Sequence, residues 1–312
     1  VRALVTGAAG FVGGHLVRSL VRDGVEVFAG SLHGEAPQGA PPEVRWVGLD
    51  VTSNASVRAA MELAVPDAVY HLAGQSSVAG SFADPAGTWE ANATGTVRLL
   101  QALPQGTRMV LAGSAEVYGP VPEAAQPMRE DRPLRPANPY AASKAAAEMA
   151  CVGAALSRGA KVVVARSFNH TGPGQDVRFA LPSWARQLAE IRAGRAEPVL
   201  RVGNLGARRD LLDVRDVVRA YRRLAEAGEA GAAYNVCSGV ARSMREVLDA
   251  LVALSGTDAR VEVDPERVRP VDVPLLLGDR ARIGALGWAP EIPLERTLAD
   301  LLADDDTSPA RA

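Results

Sequence analysis

Residues 5–13 read VTGAAGFVG and place Gly7, Gly10 and Gly13 three residues apart. The β-branched run RALVTG leads into them, and FVGGHLVRSLVRDG follows with apolar residues at helical spacing as far as Gly24. Few folds use a strand, a glycine turn and a helix in this order. The glycines permit a tight turn and close backbone approach, while the helix N-terminus presents free N–H groups that suit a pyrophosphate. An ordinary glycine-rich turn is the alternative. The flanking strand and helix favour a dinucleotide site built from Gly7, Gly10, Phe11, Val12 and Gly13.

The rhythm continues beyond this turn. VEVFAG, VRWVGLD, DAVYHLAG, RMVLAGS and AKVVVARS read as strands. Between them lie the helical stretches SNASVRAAMELA, DPAGTWEANATGTVRLLQAL and a long helix beginning near Asn138. Strands separated by helices of about ten or more residues imply βαβ units with right-handed crossovers. The expected fold class is therefore α/β, a doubly wound parallel sheet of the Rossmann type, with a dinucleotide-binding domain over residues 1–171. From about Gly172 the pattern loosens into glycine- and proline-rich turns, the short strands PVLRVG and AAYNVCSG, and helices near 181–193, 214–228 and 243–254. Residues 172–305 are expected to be mainly a smaller mixed α/β substrate lobe, with later segments returning to the first domain. Residues 306–312 read as a polar tail.

Charge and cysteine content narrow the classes. With 34 basic and 36 acidic residues the net charge is −2, which gives no electrostatic reason to expect nucleic acid or a membrane surface as partner. Cys151 and Cys237 lie far apart without metal-ligand spacing, so neither a disulfide framework nor a metal site is expected. No apolar run of membrane-spanning length stands out, and a cytoplasmic location is the expectation.

Cofactor choice is read at the end of the second strand, where a carboxylate would bind the adenosine ribose and repel a 2′-phosphate. Here the chain has Ser31, with His33 beyond it, so NADP(H) is favoured over NAD(H). Asp50 and Val51 after the third strand are candidates to border the adenine, with Asp50 as a strand-end turn residue the alternative. Leu72 and Ala73, ending the fourth strand, are further cofactor candidates.

The stretch GSAEVYG brings Ser114 and Glu116 to the carboxyl edge of the sheet, and NPYAASK starts the long helix with Tyr140 and Lys144 one turn apart on one face. A free tyrosine is a poor acid at neutral pH. A neighbouring ammonium stabilises the phenolate and lowers its pKa. A catalytic pair is the sharper reading and a helix-surface pair the plainer one.

Ser, Tyr and Lys so arranged resemble the extended short-chain dehydrogenase/reductases. The likeness runs in order through VTGAAGFVG, VYHLAGQSSV, ANATGT, GSAEVYG, NPYAASK, RSFNHTGPGQ, VGNLGARRDLLDVRDVVRAY, YNVCSG and RPVDVP. Within that branch of nucleotide-sugar enzymes, the chain looks most like GDP-6-deoxy-D-mannose reductases, with GDP-mannose 4,6-dehydratases as nearest relatives.

This resemblance implies that the substrate is a GDP-linked 6-deoxy-4-keto sugar. Tyr140 is then the proton donor, Ser114 a hydrogen-bond donor to the same oxygen, and Lys144 the ribose contact. Dehydratases of the group use a glutamate at Glu116 as base, flanked by Thr and an acidic or hydroxyl residue. This chain has Ser114 and Ala115 instead, and Ala115 cannot transfer a proton. Ser76, Asn169, Arg209, Arg269 and Asp272 are the implied substrate contacts, the arginines on the diphosphate. Strand-borne His71 is expected to be structural, as is His170, and Asn92 to order the sheet edge. A homodimer through helices near 85–101 and 140–157 is implied as well.

Overall fold

The computed structural model describes residues 1–267 and 273–307. Seven parallel strands form its main sheet: β1 (Arg2–Thr6), β2 (Glu26–Ser31), β3 (Arg45–Gly48), β4 (Ala68–His71), β5 (Arg108–Ser114), β6 (Lys161–Ser167) and, much later in the chain, Ala233–Val236. From one edge to the other the order is Ala233–Val236, β6, β5, β4, β1, β2, β3. The direction of winding reverses between β1 and β4, and open α/β sheets bind ligands in the crevice that such a reversal creates.

Leu4 and Val5 in β1, and Val162, Val163 and Val164 in β6, are almost wholly buried. Continuous apolar runs of this kind belong to a parallel sheet covered on both faces. One face carries α1 (Phe11–Arg22), which closes the first crossover. The other carries α2 (Asn54–Ala64), whose N-terminus is capped by the Ser53 side chain accepting from Ser56 N. After the short helix α3 (Val78–Ala83), α4 (Pro85–Trp89) and α5 (Gly95–Ala102) are joined through a π-helical turn at Glu90–Thr94. The sequence pattern reads as one unbroken helix here. The wider turn instead directs Asn92 onto Gln75 and Ser143, a tertiary demand that periodicity does not encode. Helix α6 (Pro139–Arg158) has Asn138 as N-cap and Pro139 in its first turn, and stops at Gly159.

The remaining strands are β7 (Asn169–Thr171), β8 (Val199–Val202), β9 (Arg208–Asp213), β10 (the Ala233–Val236 edge strand), β11 (Ala241–Ser243), β12 (Arg260–Val263) and β13 (Leu275–Leu276). The helices are α7 (Ala180–Arg192), α8 (Val214–Ala227), α9 (Met244–Ser255), α10 (Ala281–Gly284) and α11 (Leu294–Thr307). A second sheet joins β7, β9, β11 and β13, while β8 and β12 pair separately. Helices α7, α9 and α11 close a core of their own around Leu188, Leu200, Leu248 and Leu298.

Two segments that read as part of the looser region lie on the main sheet. Strand β10 is its edge, and α8 packs beside α1 through Val217, Tyr221 and Leu224. Residues 306–307 of the expected tail are still in α11; residues 308–312 lie outside the described residues. Among the described residues no helix is long and apolar enough to cross a membrane.

Gly13 decides how closely α1 approaches β1. A Cβ there would lie 2.3 Å from the Gly7 carbonyl oxygen and 2.7 Å from Ala8 Cα, backbone atoms that cannot yield. At Gly14 the nearest atom within reach is the flexible Arg18 guanidinium, at 3.6 Å. Gly13→Ala should therefore cost about 3 kcal/mol and lower Tm by roughly 4–5 °C. Gly14→Ala should lie within about 1 kcal/mol of the parent, on the stabilising side. Thermal unfolding of the two variants checks the contrast.

Candidate active site

The first half of the site is the turn after β1. Gly7 has φ +66°, and a Cβ on it would lie 2.8 Å from both N and Cα of Ala73, so the turn rests directly on the chain leaving β4. Thr6 Oγ1 accepts from Leu72 N at 3.1 Å and from Ala73 N at 3.0 Å. Having accepted twice, its proton points to His71 Nδ1 at 2.8 Å. His71 Nε2 then donates to Thr96 Oγ1 at 3.0 Å, and Thr96 donates to the Asn92 carbonyl at 2.6 Å. Burial holds the imidazole neutral, its pKa pushed down to about 3. His71 is thus a structural bridge between β1, β4 and the π turn, and Asn92 orders the sheet edge as expected.

No side chain caps α1, and its N-cap, Gly10, is exposed together with Ala9. The first N–H groups of an uncapped helix lack internal partners. A glycine-lined turn below them leaves room for a diphosphate, so Gly7, Gly10, Phe11, Val12 and Gly13 fit a dinucleotide.

Ser31, closing β2, spends its hydroxyl on the Glu35 carbonyl at 3.0 Å, while Leu49 N donates to the Ser31 carbonyl at 2.8 Å. Asp50 Oδ1 accepts from both N and Oγ1 of Thr52, at 2.8 and 2.7 Å, which makes it a turn residue as well as a strand end. Val51 is buried against Gly95.

The second half lies where β5 ends and α6 begins. Ser114 Oγ accepts Glu116 N at 3.2 Å and opens the 3-10 turn Ala115–Tyr118. The Tyr140 phenol stands beside the Ser114 hydroxyl, close enough for that group to oppose the rise in its pKa. Asn138 works in both directions. Its Oδ1 caps α6 by accepting Ala141 N at 2.7 Å, and its Nδ2 donates to Glu116 Oε2 at 3.3 Å. One turn after Tyr140, buried Lys144 donates from Nζ to the Ala112 carbonyl at 2.9 Å and stands 6.0 Å from the centre of the Tyr140 ring.

Ser114, Glu116, Tyr140 and Lys144 are therefore gathered at one sheet edge. The electrostatics differ from the simplest sequence expectation. Burial pushes the Tyr140 phenol up to about 12; the neighbouring Ser114 hydroxyl opposes this, and the Glu116 charge adds to it. Burial pulls Lys144 down to about 8. Directed at the Ala112 carbonyl, the ammonium does not offset the desolvation of the phenol, whose pKa-lowering contact is Ser114.

The expected substrate contacts are placed less uniformly. Ser76 is exposed on the segment after β4. Asn169 is exposed in β7, which pairs with β9. Half-buried Arg209 donates from Nη1 to the carbonyls of Arg208 and Val273, at 2.9 and 2.6 Å. Arg269 and Asp272 lie outside the described residues. His170 is tied through Nδ1 to the Phe168 carbonyl at 2.9 Å and stacks on Phe11 with ring centres 6.3 Å apart. Cys151 and Cys237 are buried free thiols, and among the described residues no cluster of three or more His, Cys, Asp or Glu side chains could hold a metal ion.

Residues 4–301 match the family described as GDP-mannose 4,6 dehydratase. The chain belongs to this family. Among curated relatives, GDP-6-deoxy-D-mannose reductase of Pseudomonas aeruginosa is 39% identical, over 97% of this chain and 96% of the relative. GDP-mannose 4,6-dehydratase of Vibrio cholerae is 29% identical, over 97% and 93%. The solved structure of RMD from Pseudomonas aeruginosa complexed with NADPH superposes with a TM-score of 0.86 at 38% identity, covering 98% of this chain and 99% of that one. A Thermus thermophilus UDP-glucose 4-epimerase complex with NAD gives 0.87 at 32% identity, over 99% and 100%. The members and neighbours of this family thus include NAD(P)-dependent reductases, dehydratases and epimerases of nucleotide sugars, on the Rossmann-type fold seen here.

Thr6 and Asn138 were not singled out from the sequence, although each organises the site. Asn138 had a signal, since Asn-Pro opening a helix is a capping pattern. Thr6 had none, because its partners lie some 66 residues away in sequence.

A cationic Lys144 carries a stability cost. Its folded pKa lies below the unfolded value, so the unfolded chain binds more protons between the two. Stability therefore rises with pH from about 8 toward 10.5. Below that window the unfavourable contribution is about 3 kcal/mol, offset in part by the bond to Ala112. Lys144→Met should raise Tm by about 2–5 °C at pH 7, with the gain shrinking above pH 8. Calorimetry across pH checks the sign.

Proposed function

We propose that this chain is a GDP-6-deoxy-D-mannose reductase, which reduces the C4 ketone of GDP-4-dehydro-6-deoxy-D-mannose to give GDP-D-rhamnose. The observation that carries the choice is buried Ala115 between Ser114 and Glu116. Ser114, Tyr140 and Lys144 provide what ketone reduction needs, whereas elimination of water needs a further acid that a methyl side chain cannot supply. The 39% identity to the Pseudomonas aeruginosa reductase supports the same choice.

A bound nicotinamide supplies the hydride to C4. The Tyr140 phenol gives its proton to the developing alkoxide, and Ser114 donates a hydrogen bond to that oxygen. Lys144, one turn along α6, holds the cofactor ribose and keeps a positive charge near the phenol. The turn at Gly7, Gly10, Phe11, Val12 and Gly13 takes the pyrophosphate, with Ser31, Asp50, Val51, Leu72 and Ala73 bordering the adenosine half. With no carboxylate closing β2, NADP(H) is the favoured cofactor over NAD(H), in keeping with the NADPH bound to the Pseudomonas neighbour. Residues 172–305, apart from α8 and β10 on the main sheet, form the substrate lobe. Ser76, Asn169, Arg209, Arg269 and Asp272 contact the nucleotide sugar.

Glu116 favours a second reading. It is half-buried, fastened by Asn138, and close enough to Tyr140 for its charge to raise the phenol pKa. A GDP-mannose 4,6-dehydratase would use it as base.

A homodimer is also proposed. Phe82, Trp89, Val97, Met149 and Leu156 are 64%, 48%, 39%, 51% and 83% exposed along α3, α4, α5 and α6, a density of exposed apolar side chains that suits a covered face.

Mixing the protein with GDP-4-dehydro-6-deoxy-D-mannose should oxidise NADPH stoichiometrically, with a higher kcat/KM than NADH. Tyr140→Phe should lower the rate about 100- to 10,000-fold. If no reduced cofactor is consumed while GDP-mannose yields a 4-keto product, the dehydratase reading replaces the reductase. Separately, Leu156→Arg combined with Trp89→Glu should convert a dimer to monomers in sedimentation, and a parent that sediments as a monomer would refute the interface.

A further inference from the structure

Arg166, on β6 between β5 and β10, is buried with all three of its guanidinium nitrogens hydrogen-bonded. Nε lies 3.0 Å from Oε2 of Glu148, and Nη2 bonds Oε1 of the same carboxylate. Nη1 donates to the Tyr118 hydroxyl at 2.8 Å and to the Glu130 carbonyl at 3.0 Å. The Tyr118 phenol in turn donates to Asn235 Oδ1 at 2.6 Å. Asn235 Nδ2 donates to the Met128 carbonyl, and its backbone N–H to Glu130 Oε1, both at 2.8 Å.

The partners of this one side chain belong to the two halves of the Ser114–Tyr140 pair. Glu148 stands four residues after Lys144 and eight after Tyr140, on the same face of α6. Tyr118 ends the 3-10 turn that begins immediately after Ser114. Arg166 therefore grips the catalytic helix at one edge and the Ser114 turn at the other. A buried ion pair is often no more stabilising than a well-packed apolar pair of the same volume, so stability alone is a weak reason for placing one here. Planar, bidentate geometry fixes distances that apolar packing would leave adjustable.

We propose that Arg166 is a positioning residue that sets the register of α6 against the Ser114 turn, and with it the placing of the Tyr140 phenol beside Ser114. It touches neither cofactor nor substrate. It acts through Glu148 on one side and Tyr118 on the other. The proposal rests on the reading of Tyr140 as proton donor.

Tyr118→Phe removes only the hydroxyl that links Arg166 to the turn and leaves an aromatic ring in the core. Glu148→Gln keeps the shape of the helix-side partner and removes its charge. For each variant we would measure Tm, the Kd of NADPH and of GDP, and kcat, KM and the solvent deuterium isotope effect at least 20 °C below Tm. Positioning predicts a fall in kcat of about tenfold or more, KM and both Kd values within about twofold, and a larger isotope effect as proton transfer becomes slower. Arg166→Lys, which keeps the charge but not the fork, should not restore kcat. A variant with lower Tm but unchanged kcat and isotope effect would reduce Arg166 to a structural ion pair and overturn the proposal. The parent protein separates this from the reading beneath it. If the parent converts GDP-mannose and not the 4-keto sugar, the reductase assignment fails, and the same comparison made on GDP-mannose turnover decides the positioning role.

Discussion

Everything in the site depends on how closely the turn after β1 can approach the end of β4. Gly7 and Gly13 have no Cβ at places where one would overlap neighbouring backbone, and Thr6 fills the remaining gap by accepting two N–H groups with a single oxygen. That contact brings the N-terminus of α1 to the crevice where the direction of winding reverses. It also connects, through His71 and Thr96, to the π turn that carries Asn92. One short contact between two strand ends therefore orders both the glycine turn and the helix face against which α6 packs.

The second organising feature is buried polarity. Lys144 and the Arg166–Glu148 pair are charged groups in the interior, and His71 is an imidazole held neutral. Each would be destabilising unpaired. Each finds its partner across elements, not along one: Lys144 on β5, Glu148 on β6, His71 on β1 and α5. Helix α6 is thereby tied to the sheet by polar bonds along the face that bears Tyr140. Its opposite side carries exposed Met149 and Leu156 and is free to meet another surface.

The second lobe is built on different terms. Its own core, around Leu188, Leu200, Leu248 and Leu298, is independent of the main sheet, yet β10 and α8 return the chain to that sheet between its elements. Asp210, fully buried in β9, accepts from Ser238 N, Ser238 Oγ and Gly239 N, and so fastens the second sheet to the loop leaving β10. Interleaving the chain in this way holds Arg209 and the segment after Asn169 near the carboxyl edge of a sheet to which neither belongs.

The sequence by itself determined the strand–glycine–helix opening, the alternation that gives a doubly wound sheet, and the pairing of Tyr140 with Lys144. These are local patterns, since a three-residue glycine spacing, a change of hydrophobic period and a one-turn separation are each set by a few neighbouring residues. Ordered likeness of motifs along the chain carried the family. Only the tertiary structure decided that Lys144 points to the Ala112 carbonyl while Ser114 contacts the phenol, that Asn138 joins Glu116 to the helix cap, and that Arg166 joins both halves of the site. It also decided that AAYNV is an edge strand of the first sheet and that the helix at 85–101 widens at Glu90–Thr94. Those outcomes depend on partners from 18 to 117 residues apart, as between Arg166 and Glu148 or between Tyr118 and Asn235, and on burial that shifts pKa values. Neither separation nor desolvation is written into a local pattern; both arise when distant elements pack.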